Sequence, residues 1–293
     1  MANLDLTGTG VAIVTPFKKN GTVDFPALKK LVNHLINGKV EYLVVMGTTG
    51  ESVTLSKEEK QEVMDCVVKE NKKRVPLVLG VGGNNTSEIV KQIEKVDSKK
   101  FSAILSVSPY YNKPSQEGIY QHYKAISKAS KLPIILYNVP GRTSSNISAD
   151  TTLRLAKDFK NIVAIKEASG NLAQCMQIIN GRPKNFLVIS GDDNLTLPII
   201  TCGGDGVISV VANAYPKDFS DMVRAALNDD LDTARKLHYK LMDFTDLLFA
   251  DGNPGGIKCA LNAMKIAETY VRLPLVEPND KVKQKIKEFV KKH

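Results

Sequence analysis

Lys166 is the residue in this chain whose setting most favours covalent chemistry. It follows three apolar residues, Val163, Ala164 and Ile165, so its side chain is expected to leave a buried strand. Burial disfavours the charged form of an amine, and a neutral amine can attack a ketone to form an imine. The competing interpretation is a structural lysine that is paired with a carboxylate such as Glu167. The residues expected around the amine favour the interpretation of Lys166 as a nucleophile.

Four further side chains could assist an imine. Tyr137 could carry protons to and from the carbinolamine oxygen, and Thr48 and Thr49 lie on a glycine-bracketed turn, where their hydroxyls could relay protons. Arg142 offers a planar guanidinium that matches a carboxylate. Each has a structural alternative: a buried phenol, two turn-forming threonines, and an arginine in a surface or interface salt bridge. Together they predict a site for a small keto acid.

Short apolar runs precede most of these residues and recur along the chain. Each run has four to eight residues rich in Val, Ile and Leu, which is typical of parallel strands buried on both faces. The eight runs are 11–16, 42–46, 76–81, 103–107, 133–138, 162–166, 186–190 and 206–211. Helical patterns lie between them, such as the apolar spacing from Phe25 to Ile36 and the capping box formed by Ser56 and Glu59.

Eight β-α units over residues 1–230 predict an α/β fold, a (β/α)₈ TIM barrel that carries the active site. A doubly wound open sheet is the alternative, but residues 80–85 lack the third glycine of a dinucleotide-binding loop. Three further helical patterns, near 231–250, 254–267 and 280–293, predict a C-terminal helical region over residues 231–293.

The polar residues at the ends of the apolar runs would meet at one rim of such a barrel. Active sites of TIM barrels lie where the strands end and the loops to the helices begin. The segments in these positions are 47–52, 108–112, 137–142, 165–169, 190–193 and 208–209. They contain hydroxyls, phenols, one lysine and one arginine but no histidine, which argues against a histidine acid or a histidine-ligated metal.

Composition is that of an ordinary soluble domain, with 43% hydrophobic and 24% charged residues in 293. No apolar run approaches the roughly 20 residues that span a bilayer, and residues 1–9 contain no basic segment typical of a signal peptide. The four cysteines are scattered without a C-x-x-C pair, which indicates reduced thiols. We therefore expect a cytoplasmic protein without a membrane partner.

The net charge of +9 comes largely from lysines near the C-terminus. Val282, Ile286, Phe289 and Val290 recur among them at helical spacing, so these lysines are expected on the solvent face of an amphipathic helix. No aromatic residues interleave with the basic ones in the manner of a nucleic-acid-binding surface, and no nucleic-acid partner is predicted.

Five segments carry motifs that resemble those of the dihydrodipicolinate synthase family of pyruvate-dependent class I aldolases: 47–52, 109–118, 136–142, 165–170 and 206–210. The similarity extends over essentially the whole chain, including Asn253 and Pro254 in the helical tail. The resemblance implies condensation of pyruvate with L-aspartate 4-semialdehyde through a lysine Schiff base. The product is 4-hydroxy-tetrahydrodipicolinate, in the first committed step of diaminopimelate and lysine biosynthesis. It also implies a homotetramer or homodimer, and no organic cofactor or metal because the imine serves as the electron sink.

The resemblance assigns roles to individual residues. Lys166 would form the imine, and Arg142 would hold the carboxylate of the semialdehyde. A proton relay would consist of Tyr137, Thr48 and Tyr111, with Tyr111 supplied by a neighbouring subunit. The rest of the substrate-binding pocket would comprise Thr49 and the backbone around Gly191 and Ile208.

The resemblance also implies a feedback site for lysine. Its residues would be Ser52, Val53, Asn84, Glu88 and Tyr110. Sensitive bacterial members of the family usually have histidines where this chain has Lys57 and Lys60. Two ammonium groups should repel the side-chain amine of bound lysine, so weak or absent inhibition is expected.

Two other functions remain open from the sequence. The first is a related aldolase that cleaves N-acetylneuraminate or a 2-keto-3-deoxy sugar acid through the same imine, although such enzymes usually lack the equivalent of Arg142. The second is a non-catalytic barrel that binds keto acids or serves as a scaffold.

Overall fold

A closed barrel of eight parallel strands forms the centre of the computed structural model, which describes residues 5–293. The strands follow one another in chain order, and β1 pairs with β8 to close the sheet, with Gly8 opposite Gly206. Their bounds are β1 Gly8–Ala12, β2 Tyr42–Val45, β3 Leu77–Gly80, β4 Ala103–Val107, β5 Ile134–Asn138, β6 Ile162–Glu167, β7 Leu187–Ser190 and β8 Gly206–Ser209. The predicted TIM barrel is confirmed.

Helices connect the strands and continue beyond the barrel. Those of the barrel are α1 Phe25–Asn37, α2 Lys57–Asn71, α3 Thr86–Glu94, α4 Gln116–Ala129, α5 Pro140–Thr143, α6 Ala149–Asp158, α7 Leu172–Gly181, α8 Thr196–Thr201 and α9 Pro216–Leu227. After them come α10 Leu231–Phe249, α11 Gly255–Ala263 and α12 Asp280–Lys292. The predicted capping box is present at the start of α2, where the Ser56 and Glu59 side chains each accept the other residue's backbone N–H.

The first strand was predicted over residues 11–16, and both bounds are wrong. β1 begins at Gly8, because Gly8 and Gly10 extend the strand without apolar side chains that a sequence pattern could detect. A Cβ atom on Gly10 would lie 2.1 Å from the Tyr42 ring, so the glycine leaves space for that ring inside the barrel. The last strand also ends early, at Ser209, and a 3₁₀ turn over Val211–Asn213 follows it.

Two apolar clusters lie on opposite sides of the sheet. The inner cluster fills the barrel and includes Ile135, Tyr137, Ala164 and Ile189, whereas the outer cluster joins the strands to the helices. Because side chains alternate along a strand, Lys166 points the same way as Ala164, into the barrel. The alternation thus directs the amine to the carboxyl end of the barrel interior.

The last helix packs through one apolar face, as the sequence predicts. Ile286 is buried, and the ring of Phe289 stacks on Phe244 of α10 with 4.8 Å between the ring centroids. Among the described helices, none has the length and apolarity needed to cross a bilayer. The division at residues 230 and 231 stays a prediction.

Candidate active site

A cavity of about 540 Å³ opens at the carboxyl ends of the strands. Its volume lies in the usual range for small-molecule sites. It is lined by Ala12, Gly47, Thr48, Thr49, Leu105, Tyr137, Val139, Gly141, Arg142, Lys166, Ala168, Gly191, Asp192, Asp193, Asn194, Val210, Thr245, Asp246, Phe249 and Asn253. Six of the residues predicted for the site from the sequence therefore share one cavity: Lys166, Tyr137, Thr48, Thr49, Arg142 and Gly191.

Lys166 lies at the floor of this cavity with 5% of its surface exposed. β5 and β6 pair so that Tyr137 is directly beside Lys166, and the Lys166 Nζ is 4.5 Å from the centre of the Tyr137 ring. No carboxylate within residues 5–293 forms an ion pair with this amine. The amine is therefore buried, adjacent to a phenol and available to a molecule in the cavity.

The alternative in which Glu167 neutralises Lys166 is wrong, because Glu167 points to the other side of the sheet. Its carboxylate accepts hydrogen bonds from Asn138 Nδ2 at 3.0 and 3.1 Å, from the Ser169 N–H at 2.8 Å and from Gln174 Nε2 at 2.8 Å. These bonds fix the end of β6 from behind. No pattern in the sequence indicates this support, since Gln174 belongs to the following helix.

Gly191 gives the Lys166 side chain the space that it occupies. A Cβ atom at this position would lie 2.8 Å from Lys166 Cε and 2.6 Å from Ala168 Cβ, which is closer than such atoms approach. The Gly191 N–H donates to the Glu167 carbonyl at 2.7 Å, which fixes the backbone here. Any larger residue would displace the lysine stem.

Thr48 and Thr49 lie on a 3₁₀ turn, Thr48–Gly50, that follows β2. Thr48 is exposed to the cavity, whereas Thr49 is buried, and the Thr49 Oγ1 accepts a hydrogen bond from Asn253 Nδ2 at 2.9 Å. The Thr15 hydroxyl donates to the Gly50 carbonyl at 2.7 Å. The turn is thus held from two sides. Asn253 was noted in the sequence only as part of a family motif, and its place in the cavity was missed.

Arg142 lies on the short helix α5 after β5 and lines the same cavity. Its side chain is exposed, and in the part of the chain that the structure describes its guanidinium forms neither an ion pair nor a hydrogen bond. The surface salt bridge, one of the two structural alternatives considered, is therefore absent from residues 5–293. A free guanidinium at the mouth can bind a carboxylate in two-point fashion.

Two residues predicted for the pocket lie elsewhere in this chain. Tyr111 is 86% exposed, has a left-handed backbone with φ of 78°, and does not line the cavity of its own chain. Ile208 belongs to the apolar cluster inside the barrel, and from this end of β8 it is Val210 that lines the cavity.

Asp193 is a buried acid at the cavity that the sequence placed on the rim without a role. Its Oδ2 accepts the N–H groups of Val210 at 3.0 Å and Val211 at 3.2 Å, which anchors the turn after β8. Its Oδ1 is buried without a hydrogen-bond partner among residues 5–293. Burial raises the pKa of Asp193 to about 6, against the lowering effect of its hydrogen bonds with Ser209 and the two backbone N–H groups.

Among the residues predicted for a lysine feedback site, Asn84 contacts Tyr110 in the loop after β4. Asn84 Nδ2 donates to the Tyr110 carbonyl at 3.3 Å, while Glu88 is exposed and pairs with Lys91 at 2.9 Å. Lys91, and more weakly Lys57, lower the pKa of Glu88. The other members differ in exposure: Ser52 and Lys60 are half-buried, Val53 is 83% exposed, and Tyr110 is 36% exposed.

A second cavity of about 540 Å³ lies between α10 and α12. The titratable side chains that line it are Asp243, Asp246, Lys285, Glu288 and Lys292, and all are exposed. Exposed groups keep ordinary reactivity, so this groove has no counterpart of the buried amine. The cavity at the barrel mouth is the site that can perform covalent chemistry.

Comparisons with known proteins agree with this geometry. The sequence profile of the dihydrodipicolinate synthetase family matches residues 5–293. A 4-hydroxy-tetrahydrodipicolinate synthase of Flavobacterium psychrophilum is 57% identical over 284 residues, which cover 97% of each chain. The crystal structure of chloride-inhibited dihydrodipicolinate synthase from Acinetobacter baumannii complexed with pyruvate has a TM-score of 0.95 at 40% identity and covers 98% of both chains. The dihydrodipicolinate synthase from Cyanidioschyzon merolae with lysine bound has a TM-score of 0.92 at 37% identity, covering 97% of this chain and 96% of that chain.

Proposed function

Because the chain belongs to the dihydrodipicolinate synthetase family, we propose that it condenses pyruvate with L-aspartate 4-semialdehyde through an imine on Lys166. The product is 4-hydroxy-tetrahydrodipicolinate, on the route to diaminopimelate and lysine. The chain is an enzyme of the lyase or synthase type. The observation that carries the assignment of the nucleophile is a buried amine without a carboxylate partner in residues 5–293, 4.5 Å from the ring of Tyr137.

The reaction begins when the Lys166 amine attacks the keto carbon of pyruvate. The carbinolamine loses water to give an imine, and loss of a methyl proton converts the imine to an enamine. The enamine carbon attacks the aldehyde, and the amine of the second substrate then displaces Lys166 and closes the ring. The Tyr137 ring lies beside the amine, with its centre 4.5 Å from Nζ, and its phenol is proposed to transfer these protons together with Thr48 and with Tyr111 from a neighbouring subunit.

Two regions of the cavity would bind the substrates. Thr49 and the backbone around Gly191 would bind the carboxylate of pyruvate near Lys166, with Val210 lining the cavity in place of Ile208. Arg142, exposed at the mouth and without a protein partner among the described residues, would bind the carboxylate of the semialdehyde. Lys166 supplies the electron sink, so the proposed reaction needs no organic cofactor or metal.

Assembly follows from the position of Tyr111. Members of the family are typically oligomers that act on small molecules, and a tyrosine that is 86% exposed can enter the site of a second copy. We propose a homodimer or a homotetramer, located in the cytoplasm, with neither a nucleic-acid nor a membrane partner.

Feedback by lysine is proposed to be weak or absent. A lysine bound beside Glu88 would find that carboxylate already paired with Lys91, with the Lys57 ammonium nearby and Lys60 on the same helix. The rate should be unchanged by millimolar L-lysine, and a Lys57→His/Lys60→His variant should become more sensitive. Strong inhibition of the wild-type protein by L-lysine would contradict the proposal.

The choice of aldehyde is tested with a coupled assay on Arg142→Ala. With aspartate semialdehyde we expect kcat/KM to fall roughly 10²-fold, because a charge-assisted two-point contact is lost. Arg235→Ala is the matched control, since among residues 5–293 Arg235 pairs only with the exposed Asp232. An unaffected Arg142→Ala, together with cleavage of N-acetylneuraminate or a 2-keto-3-deoxy sugar acid by the wild type, would favour the related aldolases instead.

A further inference from the structure

We propose that the buried ion pair between Glu51 and Lys258 positions the Thr48–Gly50 turn for reaction with pyruvate. Lys258 comes from α11, beyond the barrel, so the C-terminal region would set the geometry of a turn that belongs to β2. Neither member of the pair lines the cavity, and both are therefore positioning residues. This inference rests on the proposed function of the same site.

The pair is enclosed on all sides. The side chains of Lys258 and Glu51 are 0% and 1% exposed, and Lys258 Nζ lies 2.5 Å from Glu51 Oε1. The ammonium also donates to the Tyr270 carbonyl at 2.9 Å and lies 4.1 Å from the centre of the Phe17 ring. Desolvating two charges costs much of what their attraction returns, so stability alone is a weak reason for such a pair. The pair is better suited to holding the surrounding backbone in a fixed geometry.

The backbone of Glu51 explains what the pair holds in place. Glu51 has φ of 51° and ψ of 34°, a left-handed conformation that residues other than glycine adopt at a cost. Its N–H donates to the Thr48 carbonyl at 3.0 Å and closes the turn. Its second carboxylate oxygen accepts the Arg272 N–H at 3.0 Å. Both anchors of the carboxylate therefore come from residues 258–272, and they fix the conformation from which Thr48 projects.

A second tether from the same region reaches the turn inside the cavity. Asn253 Nδ2 donates to Thr49 Oγ1 at 2.9 Å, and both side chains are nearly buried. Because this bond uses the hydroxyl as an acceptor, the Thr49 O–H remains free to donate to a substrate carboxylate. The turn is thus fixed by Lys258 and Arg272 from behind and by Asn253 at the front.

A neighbouring charge pair keeps Arg272 in place. Its guanidinium pairs with Glu59 at 2.5 Å and lies 4.5 Å from the centre of the Phe17 ring. The hydrogen bonds from Arg272 lower the pKa of Glu59 to about 2, so this carboxylate stays charged at neutral pH. The Phe17 ring is therefore in contact with the cations of both ion pairs, which together join the loop after β1, the segment after β2 and the C-terminal region.

The experiment measures how fast the pyruvyl imine forms on Lys166 as the pyruvate concentration is varied. Borohydride traps the adduct in single-turnover mixtures, and mass mapping quantifies it. For Lys258→Met we expect the half-saturating pyruvate concentration to rise about 10-fold and the maximal rate to fall about 10-fold, because misplacement of a positioning turn has effects of this order. Asn253→Ala should raise the pyruvate requirement in the same direction.

Arg182→Met is the matched control. Arg182 and Asp205 form a partly buried ion pair, each 19% exposed, that lies away from the cavity. We expect imine formation in this variant to stay within about 2-fold of wild type, since a pair that only stabilises the fold should not change the pyruvate dependence. Comparing Arg182→Met with Lys258→Met distinguishes an effect of lower stability from an effect of a misplaced Thr48–Gly50 turn.

A second variant keeps the test decisive if Lys258→Met does not fold. Glu51→Gln/Lys258→Met removes both charges together and retains an acceptor for the Arg272 N–H. It should fold and still need more pyruvate. Wild-type imine formation in either folded variant would overturn this inference alone. Absence of any adduct on Lys166 in the wild-type protein would overturn the proposed function and this inference with it.

Discussion

Two buried lysines, Lys166 at the barrel mouth and Lys258 behind it, have nearly the same burial and opposite surroundings. Lys258 contacts a carboxylate, a carbonyl and the face of Phe17, and every direction around its ammonium is occupied by protein. Lys166 contacts a phenol ring and an open cavity, without a carboxylate partner in residues 5–293. The difference shows that burial alone does not identify a nucleophile. A nucleophilic lysine is identified by burial together with access to the cavity and the lack of a carboxylate partner.

The pKa of Lys258 also shows that a shifted titration does not by itself identify the nucleophile. Burial lowers the pKa of Lys258 below the usual value of a lysine, although the charge of Glu51 opposes this change. A search based on shifted titration alone would therefore select Lys258 as the reactive amine. Its contacts exclude that role, because Glu51 and the Tyr270 carbonyl hold the ammonium and Lys258 does not line the cavity at the barrel mouth.

The largest expected effect separates the two lysines by activity. Lys166→Met should lower the rate by at least about 10³-fold, because the covalent intermediate can no longer form. Lys258→Met should retain far more activity, since it changes only the position of a turn. The coupled assay with both substrates measures the difference. Comparable residual rates in the two variants would remove the distinction drawn here.

The second effect distinguishes Lys166 from Lys258 by the stability of their methionine variants. Lys258→Met leaves Glu51 buried without its partner, and the free energy of unfolding should fall by about 3–5 kcal/mol. Lys166→Met removes an unpaired buried amine and should change the free energy of unfolding by less than about 1 kcal/mol, or raise it. Urea denaturation of both variants measures this. A larger loss from Lys166→Met than from Lys258→Met would contradict the account.

A third prediction concerns the space beside Lys166. Gly191→Ala places a methyl group 2.8 Å from Lys166 Cε, so the amine must move, and kcat should fall about 10- to 100-fold. Gly141→Ala is the control within the same cavity lining, because a Cβ atom there meets no other atom within 4 Å. Equal activity in the two variants would show that the lysine stem does not need this space.

The smallest effect concerns the buried acid at the mouth. The pKa of Asp193 is raised to about 6 by burial and, less strongly, by the charge of Asp192, so the native state holds its proton more tightly than the unfolded chain does. This contribution to stability is complete below the unfolded pKa, near 4, and is lost as the pH rises through about 6.

Between about pH 5 and pH 8, wild-type protein should therefore lose roughly 1–1.5 kcal/mol of stability that the Asp193→Asn variant does not lose. Urea denaturation at the two pH values gives the change in the free energy of unfolding with pH for each protein. The variant is the reference for all other titrating groups. Parallel pH dependence in the two proteins would show that Asp193 titrates in its usual range.

The sequence predicted the barrel and the pairing of Lys166 with Tyr137, because both depend on local patterns and on the order of neighbouring strands. It misplaced β1, since glycines in a strand leave no apolar pattern. It also missed the roles of Asn253 and Lys258. These residues reach the turn after β2 from positions 204 and 207 residues away from their partners, and no local pattern encodes such a contact.

The most direct test of the central claim is reduction with borohydride in the presence of pyruvate, followed by mass mapping of every lysine. We predict a pyruvyl adduct on Lys166 and none on Lys258, because only the first amine is both unpaired and open to the cavity. An adduct on Lys258, or an unmodified Lys166, would contradict the account.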